Sequence, residues 1–205
     1  MPVIVVANPK GGVGKSTLST NLAGYLASRG HAVMLGDVDR QQSALTWLSL
    51  RPKTLPAIGT WDTSSGEIVR PPKGNTHVVL DTPAGLHGKR LDEVMKIADK
   101  VLIPLQPSLF DIHATHTFVR ELLAHRRSDK VKFAIVGMRV REGTISADHL
   151  RTFVERLKVP VLGFLRDTQN YVHLAAHGLT LWDVTSSRFE RDIEQWKPVL
   201  QWVQA

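Results

Sequence analysis

Residues 8–17 combine lysines and glycines at a spacing that suits phosphate binding. They read N-P-K-G-G-V-G-K-S-T, follow an apolar run at residues 3–7 and precede a helical pattern. Glycines let the backbone fold around a polyphosphate, with N–H groups pointing inward at a helix N-terminus. Lys15 is placed to reach the β- and γ-phosphates, and the Ser16 hydroxyl to ligand Mg²⁺. The residues predicted to surround the polyphosphate are Lys10, Gly11, Gly12, Val13, Gly14, Lys15, Ser16 and Thr17.

Two carboxylates, Asp37 and Asp39, follow the next apolar run, at residues 32–36. Side chains two apart on an extended backbone project to the same side, so both are predicted to face the phosphates. Such a pair can hold Mg²⁺ through water and orient an attacking water in line with the γ-phosphate. The alternative role for either carboxylate is to cap the helix that follows.

Asp81 closes a third apolar run and begins the sequence D-T-P-A-G. An aspartate there steadies the Mg²⁺ shell, so the predicted metal ligands are Ser16, Asp39 and Asp81. Residues 166–171 follow the last predicted strand and are expected to form a loop beside the nucleotide base. The carboxyl ends of parallel strands bind ligands in open α/β sheets, which predicts that these segments meet there.

Short apolar runs alternate with longer amphipathic ones along the chain, which predicts an α/β fold. We expect a mostly parallel sheet with helices on both faces, the fold of P-loop NTPases. Residues 51–76 are predicted to form a long connection with a short strand or two near residues 58–61. The predicted strands are 3–7, 32–36, 77–81, 101–105, 133–137 and 159–162, and the predicted helices are 18–29, 91–97, 111–128 and 146–157.

Composition narrows the class of protein. With 205 residues and 42% hydrophobic content, the chain is expected to form a single domain over 1–205. The absence of cysteine excludes disulfides, thiolate metal sites and iron–sulfur clusters. We expect a cytoplasmic protein, because no apolar segment is long enough to span a membrane and a strand begins without a signal peptide. The net charge of +7 favours nucleic acid or an anionic membrane surface as a second partner.

These motifs together resemble the ParA/MinD family of deviant Walker A ATPases, and within it the short, ParF-like partition proteins. The resemblance rests on K-G-G-V-G-K-S-T at 10–17, D-x-D-x-Q at 37–41 and D-T-P-A-G at 81–85. It extends to a tail at 169–183 that ends in A-A-H-G-L-T-L-W-D. The extra lysine at the start of the loop, Lys10, is what makes the P-loop deviant.

The resemblance implies a slow ATPase that binds ATP and Mg²⁺ and dimerises around two nucleotides. Lys10 would reach the partner's ATP, which makes Lys10, Lys15 and Asp39 the catalytic residues, with Asp39 acting in hydrolysis. Asp37 and Asp81 would join the loop in binding ATP. The absence of a helix-turn-helix segment implies non-specific DNA binding and an association with the nucleoid. A ParB-like partner would stimulate hydrolysis while a plasmid, chromosome region or protein cluster is positioned.

Two positions depart from the family's pattern: Arg40 stands where proline is common, and Pro9 where glutamine is common. Both are expected to lie beside the site. Arg40 could pair with Asp39 and slow hydrolysis.

Two basic groups are candidates for DNA binding. Arg188 and Arg191 lie three apart on a predicted C-terminal helix, with Lys197 further along, so the two arginines would share a face. The second group, at a predicted helix end, is Arg126, Arg127, Lys130 and Lys132.

Two other functions fit parts of the sequence. An apolar stripe from Phe189 to Val203 resembles the amphipathic helix with which MinD binds membrane. Pro198 is expected to interrupt that stretch and its three acidic residues to repel anionic lipid, and packing on the sheet also explains the stripe. Biosynthetic ligases of the cobyrinic-acid and dethiobiotin type share the predicted fold, but the glutaminase domain of the former needs a nucleophilic cysteine.

Overall fold

The computed structural model describes residues 1–61, 71–72 and 74–205, and the strands in this part of the chain form one parallel sheet. Its seven strands lie in the order β3-β2-β4-β1-β5-β6-β7. The central β1 pairs with β4 on one side and β5 on the other, so the chain reverses its winding direction there. The strands are β1 Val3–Val6, β2 Val33–Asp37, β3 Ile58–Gly59, β4 His77–Asp81, β5 Lys100–Leu105, β6 Lys132–Val140 and β7 Val161–Arg166.

Helices cover both faces of the sheet, as the sequence predicted. Buried side chains of α3, α4 and α5 pack on one face, and those of α1, α2, α6 and α7 on the other. The helices are α1 Lys15–Ser28, α2 Ser43–Leu50, α3 Gly88–Ile97, α4 Leu109–Ala124, α5 Ile145–Val154, α6 Asn170–Ala175 and α7 Glu190–Gln204, with 3-10 turns at Ser128–Lys130 and Ser187–Phe189.

The predicted element boundaries differ from the observed ones in places that matter for the site. The first helix begins at Lys15, since the last residues of the P-loop form its first turn. β6 continues to Val140 and β7 to Arg166, so both strands extend further toward the ligand-binding edge than predicted. Within the predicted connection, β3 confirms a short strand, and residues 62–70 and 73 lie outside the described part of the chain.

The tail segment ties α1 and α2 together. Arg51, at the end of α2, donates two hydrogen bonds of 2.9 Å to the Asp183 carboxylate, and both side chains are buried. Gly178 has a φ of 67° and its Cα lies so close to Leu50 that an added Cβ would clash with backbone. These contacts give the G-L-T-L-W-D pattern a structural role.

The apolar stripe of α7 is part of the protein core. Trp196, Val199, Leu200 and Val203 are all buried against the sheet. The expected interruption at Pro198 was wrong, because α7 runs through that residue. Pro198 lies on the exposed side, and packing of the opposite side offsets the lost backbone hydrogen bond. No helix in the described ranges is long and apolar enough to cross a membrane.

Replacing Trp196 by alanine should lower the free energy of unfolding by about 3–5 kcal/mol, because it leaves a large cavity under α7. The indole is fully buried, and its N–H donates to the Tyr171 hydroxyl at 3.0 Å. Denaturant unfolding measures the loss. Lys197→Ala, one position on and exposed, is the control and should change stability by less than about 0.5 kcal/mol. A loss below about 1 kcal/mol for Trp196→Ala would contradict the docking of α7.

Candidate nucleotide-binding site

The P-loop bridges the end of β1 and the start of α1, and neighbouring buried groups hold its shape. Asn8 is fully buried and donates to the Pro104 carbonyl and the Thr115 hydroxyl, while its Oδ1 accepts the Lys10 N–H at 2.9 Å. From the end of β5, Gln106 donates to the Gly12 carbonyl at 2.7 Å. These contacts fix the loop through two side chains, Asn8 and Gln106, that lie outside the K-G-G-V-G-K-S-T motif of residues 10–17.

Glycine is required at position 14 for two reasons. Its φ of 96° lies in the left-handed region, which other residues adopt only with strain. An added Cβ would also lie 2.8 Å from the Met138 methyl group on β6. The backbone at the start of α1 can therefore approach β6 closely.

The loop forms the floor of a cavity of about 730 Å³, here called the P-loop cavity. Asp39 enters it from the end of β2, and Pro83 and Ala84 from the end of β4. The predicted phosphate-binding residues that line it are Gly11, Gly12, Gly14, Lys15, Ser16 and Thr17. Val13 does not line it and packs in the core, with 1% of its surface exposed.

A second cavity, of about 630 Å³, lies at the end of β7 and is here called the β7 cavity. Arg166, Asp167, Thr168, Gln169 and Tyr171 line it, which places the predicted base-side loop at its wall. Leu165, Met138 and Val172 add apolar surface. The two cavities share Gly14 and Thr17 as lining residues, so a single ligand could extend from one into the other.

Lys15 and Asp81 lie close together beneath the P-loop cavity, nearly excluded from water. Lys15 is 7% exposed, and its ammonium donates to the Lys10 carbonyl at 2.7 Å. Burial lowers the pKa of Lys15, and the charges of Asp81 and Asp39 oppose that shift. Burial raises the pKa of Asp81 to about 7, against the hydrogen bonds from Ser16 and Ser19 and the charge of Lys15.

The two carboxylates of the D-x-D segment have different surroundings: Asp37 contacts backbone N–H groups and Asp39 lines the P-loop cavity. Asp37 is fully buried at the end of β2, and its Oδ2 accepts the Ala44 N–H at the start of α2 at 2.8 Å, while its Oδ1 accepts the Asp39 N–H at 3.0 Å. It therefore caps α2, the alternative role considered from the sequence, and does not line the P-loop cavity. Burial raises the pKa of Asp37, and the backbone hydrogen bonds oppose the rise. Only Asp39 faces the cavity.

Lys10 does not line the P-loop cavity of its own chain. Its side chain is 43% exposed, and its ammonium lies 4.0 Å from an Asp111 oxygen on α4. Arg40 lines the P-loop cavity, and no ion pair with Asp39 or any other residue is found for it in the described structure. The expected alternative of an Arg40–Asp39 pair is therefore not present in this structure.

The donor set fits a magnesium ion bound together with phosphates. Ser16, Asp39 and Asp81 offer hard oxygen ligands, and the raised pKa of Asp81 shows a buried carboxylate that a cation would favour. The described residues contain no cluster of three or more histidine or acidic side chains able to hold a metal unaided. Mg²⁺ sites that include substrate phosphates use few protein carboxylates.

The three candidate DNA-binding residues of the first group, Arg188, Arg191 and Lys197, all have partners. Arg188 lies in the 3-10 turn before α7 and not on the helix, so helical spacing does not place it on one face with Arg191. Its Nε donates to Asn170 at 2.8 Å, while Arg191 pairs with Glu142 at 3.2 Å and Lys197 with Glu194. The Arg191 and Lys197 pairs are exposed, so they cost little to break.

The second basic group, from Arg126 to Lys132, lies at the opposite end of the parallel strands from the P-loop, where β6 begins. Two of its members are held by the protein: Arg127 donates to the Met95 carbonyl and Lys132 to the Ala205 carbonyl. Arg188, in contrast, contacts Asn170 of α6, and the residue before Asn170, Gln169, lines the β7 cavity.

Two arginines that line the P-loop cavity were not predicted: Arg90 on α3 and Arg139 on β6. Neither lies in a sequence motif, and the predicted strand ended before Arg139. No pattern in the sequence marks either position.

The geometry agrees with the comparisons to known proteins. Residues 4–181 match the family model of the CobQ/CobB/MinD/ParA nucleotide binding domain. The chain belongs to this family. Its members of the ParA/MinD type are P-loop ATPases that partition or position other components of the cell.

A relative from Gloeobacter kilaueensis, named maintenance of carboxysome distribution protein A, is 32% identical over 87% of this chain and 83% of its own length. The fold also matches the MinD cell division protein of Aquifex aeolicus, with a TM-score of 0.76 and 21% identity over 100% of this chain and 98% of that one. A Cyanothece McdA variant in complex with ATP matches with a TM-score of 0.75 and 15% identity over 98% and 96% of the two chains.

Asp81→Asn should make the protein more stable at pH 8 in EDTA without nucleotide, by about 4 kcal/mol. The folded-state pKa of about 7 lies above the ordinary value of 3.8. The folded protein therefore holds this proton more tightly than the unfolded chain, and wild-type stability falls as the pH rises from about 4 to about 7. The asparagine variant lacks this dependence, so its advantage should disappear near pH 4. Denaturant unfolding at several pH values measures it, and parallel curves for the two proteins would contradict it.

Proposed function

We propose that this protein is an ATP-dependent positioning ATPase that dimerises on ATP, binds DNA without sequence preference and is released when a partner protein stimulates hydrolysis. The observation that carries the proposal is the position of Lys10. Lys10 is absent from the lining of the P-loop cavity, and its partly exposed ammonium lies beside Asp111. A cation at the start of a P-loop that does not serve its own cavity is available to another subunit.

Within one subunit, the loop N–H groups and Lys15 bind the β- and γ-phosphates of ATP. Ser16, Asp39 and Asp81 hold Mg²⁺, which neutralises phosphate oxygens when bound. Asp39 is half-buried and reaches the cavity from the end of β2, where it can orient a water toward the γ-phosphate. Asp37 supports this role indirectly, because it accepts the Asp39 N–H and fixes the turn.

DNA binding is proposed for the surface that contains Arg188, Arg191 and Lys197. This surface lies near the β7 cavity, so nucleotide binding and dimerisation can change its shape or bring two copies together. The group from Arg126 to Lys132 lies at the opposite end of the parallel strands from the P-loop. Phosphate contacts made by such cations carry no sequence information, which fits a DNA surface used for anchoring. Binding of this kind would place the protein on the nucleoid.

The names of the relatives support a positioning role over the two other functions. The relative from Gloeobacter kilaueensis is named for carboxysome distribution, so a protein cluster is one cargo to test beside plasmids and chromosome regions. The buried stripe of α7 offers no exposed apolar face for a membrane. A biosynthetic ligase of this fold would also need a substrate site beyond the nucleotide.

Lys10→Ala should abolish ATP-dependent dimers. Asp39→Ala is expected to bind ATP without turnover, so with ATP and Mg²⁺ it should sediment as a dimer. Adding Lys10→Ala should return it to a monomer that still binds ATP, because Lys10 does not line its own cavity. Analytical ultracentrifugation measures the association state.

The matched control is Lys96→Ala in the Asp39→Ala background, which removes an exposed lysine at the end of α3 and should leave the dimer unchanged. An intact dimer after Lys10→Ala would show that this lysine does not act on a partner subunit.

The ATP-bound dimer should bind unrelated DNA duplexes equally, with strong dependence on salt. If each subunit offers about three cations, the affinity should fall by about 10³ between about 50 and 200 mM salt. Arg191→Glu with Lys197→Glu should weaken binding on every duplex, and the comparison variant Arg126→Glu with Lys130→Glu should not. Fluorescence anisotropy with ATP, ADP and no nucleotide measures this. Binding to anionic vesicles with none to DNA would contradict the proposal.

A further inference from the structure

Arg139 interrupts the regular alternation of β6. In a strand, residues two apart face the same side of the sheet. Phe133 and Ile135 follow this rule and pack in one core layer, and Ala134 and Val136 pack in the other. Met138 and Val140 are also two apart, yet they pack in opposite layers. Arg139 is therefore one extra residue in the strand.

The backbone at Arg139 shows the same irregularity. Its φ is 51°, in the left-handed region that residues other than glycine rarely occupy. The pairing of β6 with β7 shifts register between Gly137 and Val140, on either side of it. Such bulges often turn a side chain toward a binding site. Here the flanking residues are buried while Arg139 is exposed.

The bulge places Arg139 where the two cavities meet. It lines both the P-loop cavity and the β7 cavity, together with Gly14 and Thr17. No hydrogen bond or ion pair is found for its guanidinium within the described part of the chain. A strained backbone thus presents an unpaired cation at the junction of a polar cavity and a partly apolar one.

A nucleoside phosphate has the shape to cross this junction. If its β- and γ-phosphates bind over Lys15 and its base in the β7 cavity, the phosphate nearest the sugar would lie beside Gly14, Thr17 and Arg139, which line both cavities. A guanidinium can donate two parallel hydrogen bonds to phosphate oxygens and can also lie flat against a base. Both contacts suit a residue that lines both cavities.

We propose that Arg139 clamps the nucleotide at the junction of its phosphates and its sugar, and that the β6 bulge exists to aim it there. This inference rests on the proposed function. Arg139 determines affinity for nucleoside diphosphates and triphosphates alike, because its contact lies away from the γ-phosphate. Arg40 and Arg90 line the P-loop cavity alone and do not share this role.

The test compares the affinities of four variants for ATP and ADP in the presence of Mg²⁺. Arg139→Gly removes the guanidinium but accepts the left-handed backbone without strain, so the apo melting temperature should be preserved or raised. Calorimetric titration should show about 10- to 100-fold weaker binding of ATP and of ADP by the same factor. Arg139→Lys keeps the charge without the paired hydrogen bonds and should fall between wild type and Arg139→Gly.

Two control arginines separate a specific contact from a general effect of charge. Arg90→Ala removes a cation from the rim of the P-loop cavity, and Arg156→Ala removes an exposed cation that lines neither cavity. We expect Arg156→Ala to bind both nucleotides like wild type, and Arg90→Ala to bind ADP at least fivefold more tightly than Arg139→Gly does.

Two results would overturn the clamp. One is an ADP affinity of Arg139→Gly within about twofold of wild type. The other is a loss of ADP affinity in Arg90→Ala equal to that in Arg139→Gly, which would indicate only a general electrostatic attraction by the cations around the P-loop cavity. Lys15→Ala tests the proposed function separately, since it should abolish ATP binding. Unchanged ATP binding by Lys15→Ala would refute the nucleotide site itself. If Lys15→Ala loses ATP binding while Arg139→Gly binds ATP and ADP like wild type, only the clamp is refuted. Should Arg139→Gly melt early, Arg139→Asn, which also tolerates this backbone, gives the same comparison.

Discussion

The burial of two opposite charges beneath the P-loop is the constraint on which the site depends. Lys15 and Asp81 are both nearly excluded from water, and burial disfavours the charged form of each. Their mutual attraction offsets only part of that cost, as the shifted pKa values of both groups show. A ligand that carries phosphates to Lys15 and a cation to Asp81 would satisfy both charges at once. Binding of such a ligand would therefore raise the free energy of unfolding of the protein.

The rest of the loop is held by hydrogen bonds from uncharged side chains. The charged groups of the site, Lys15 and Asp81, therefore remain available to a ligand. Asn8 and Gln106 bind loop backbone through amide groups, and neither carries charge into the cavity. Lys10 lies outside, near Asp111. Since the weak, half-exposed contact with Asp111 is easily exchanged, nucleotide binding and assembly can be linked through one flexible side chain. The same loop then serves both the chemistry and the proposed contact between subunits.

Much of the fold was predictable, because alternating apolar runs and amphipathic helices give a parallel sheet with few alternatives. That pattern also predicted that Asp39 and Asp81 follow strands, and the structure places Asp81 at the end of β4 and Asp39 two residues beyond the end of β2. The sequence could not predict which of Asp37 and Asp39 caps α2 and which faces the cavity, because an aspartate at either position could serve either role. Arg188 was placed on a helix although a 3-10 turn holds it, because a helical pattern does not show where its first turn tightens.

The sequence by itself determined the parts of the site that lie close together along the chain. The glycines and lysines of residues 8–17 specify a phosphate loop through local backbone geometry alone, and the family follows from such motifs. Only the tertiary structure decided which distant residues complete the site. Arg90 and Arg139 reach the P-loop cavity because α3 begins there and β6 ends there, and Arg139 does so through a bulge that changes the side-chain register. A bulge depends on how two strands pair, and a one-residue shift in pairing leaves no local signal in either strand.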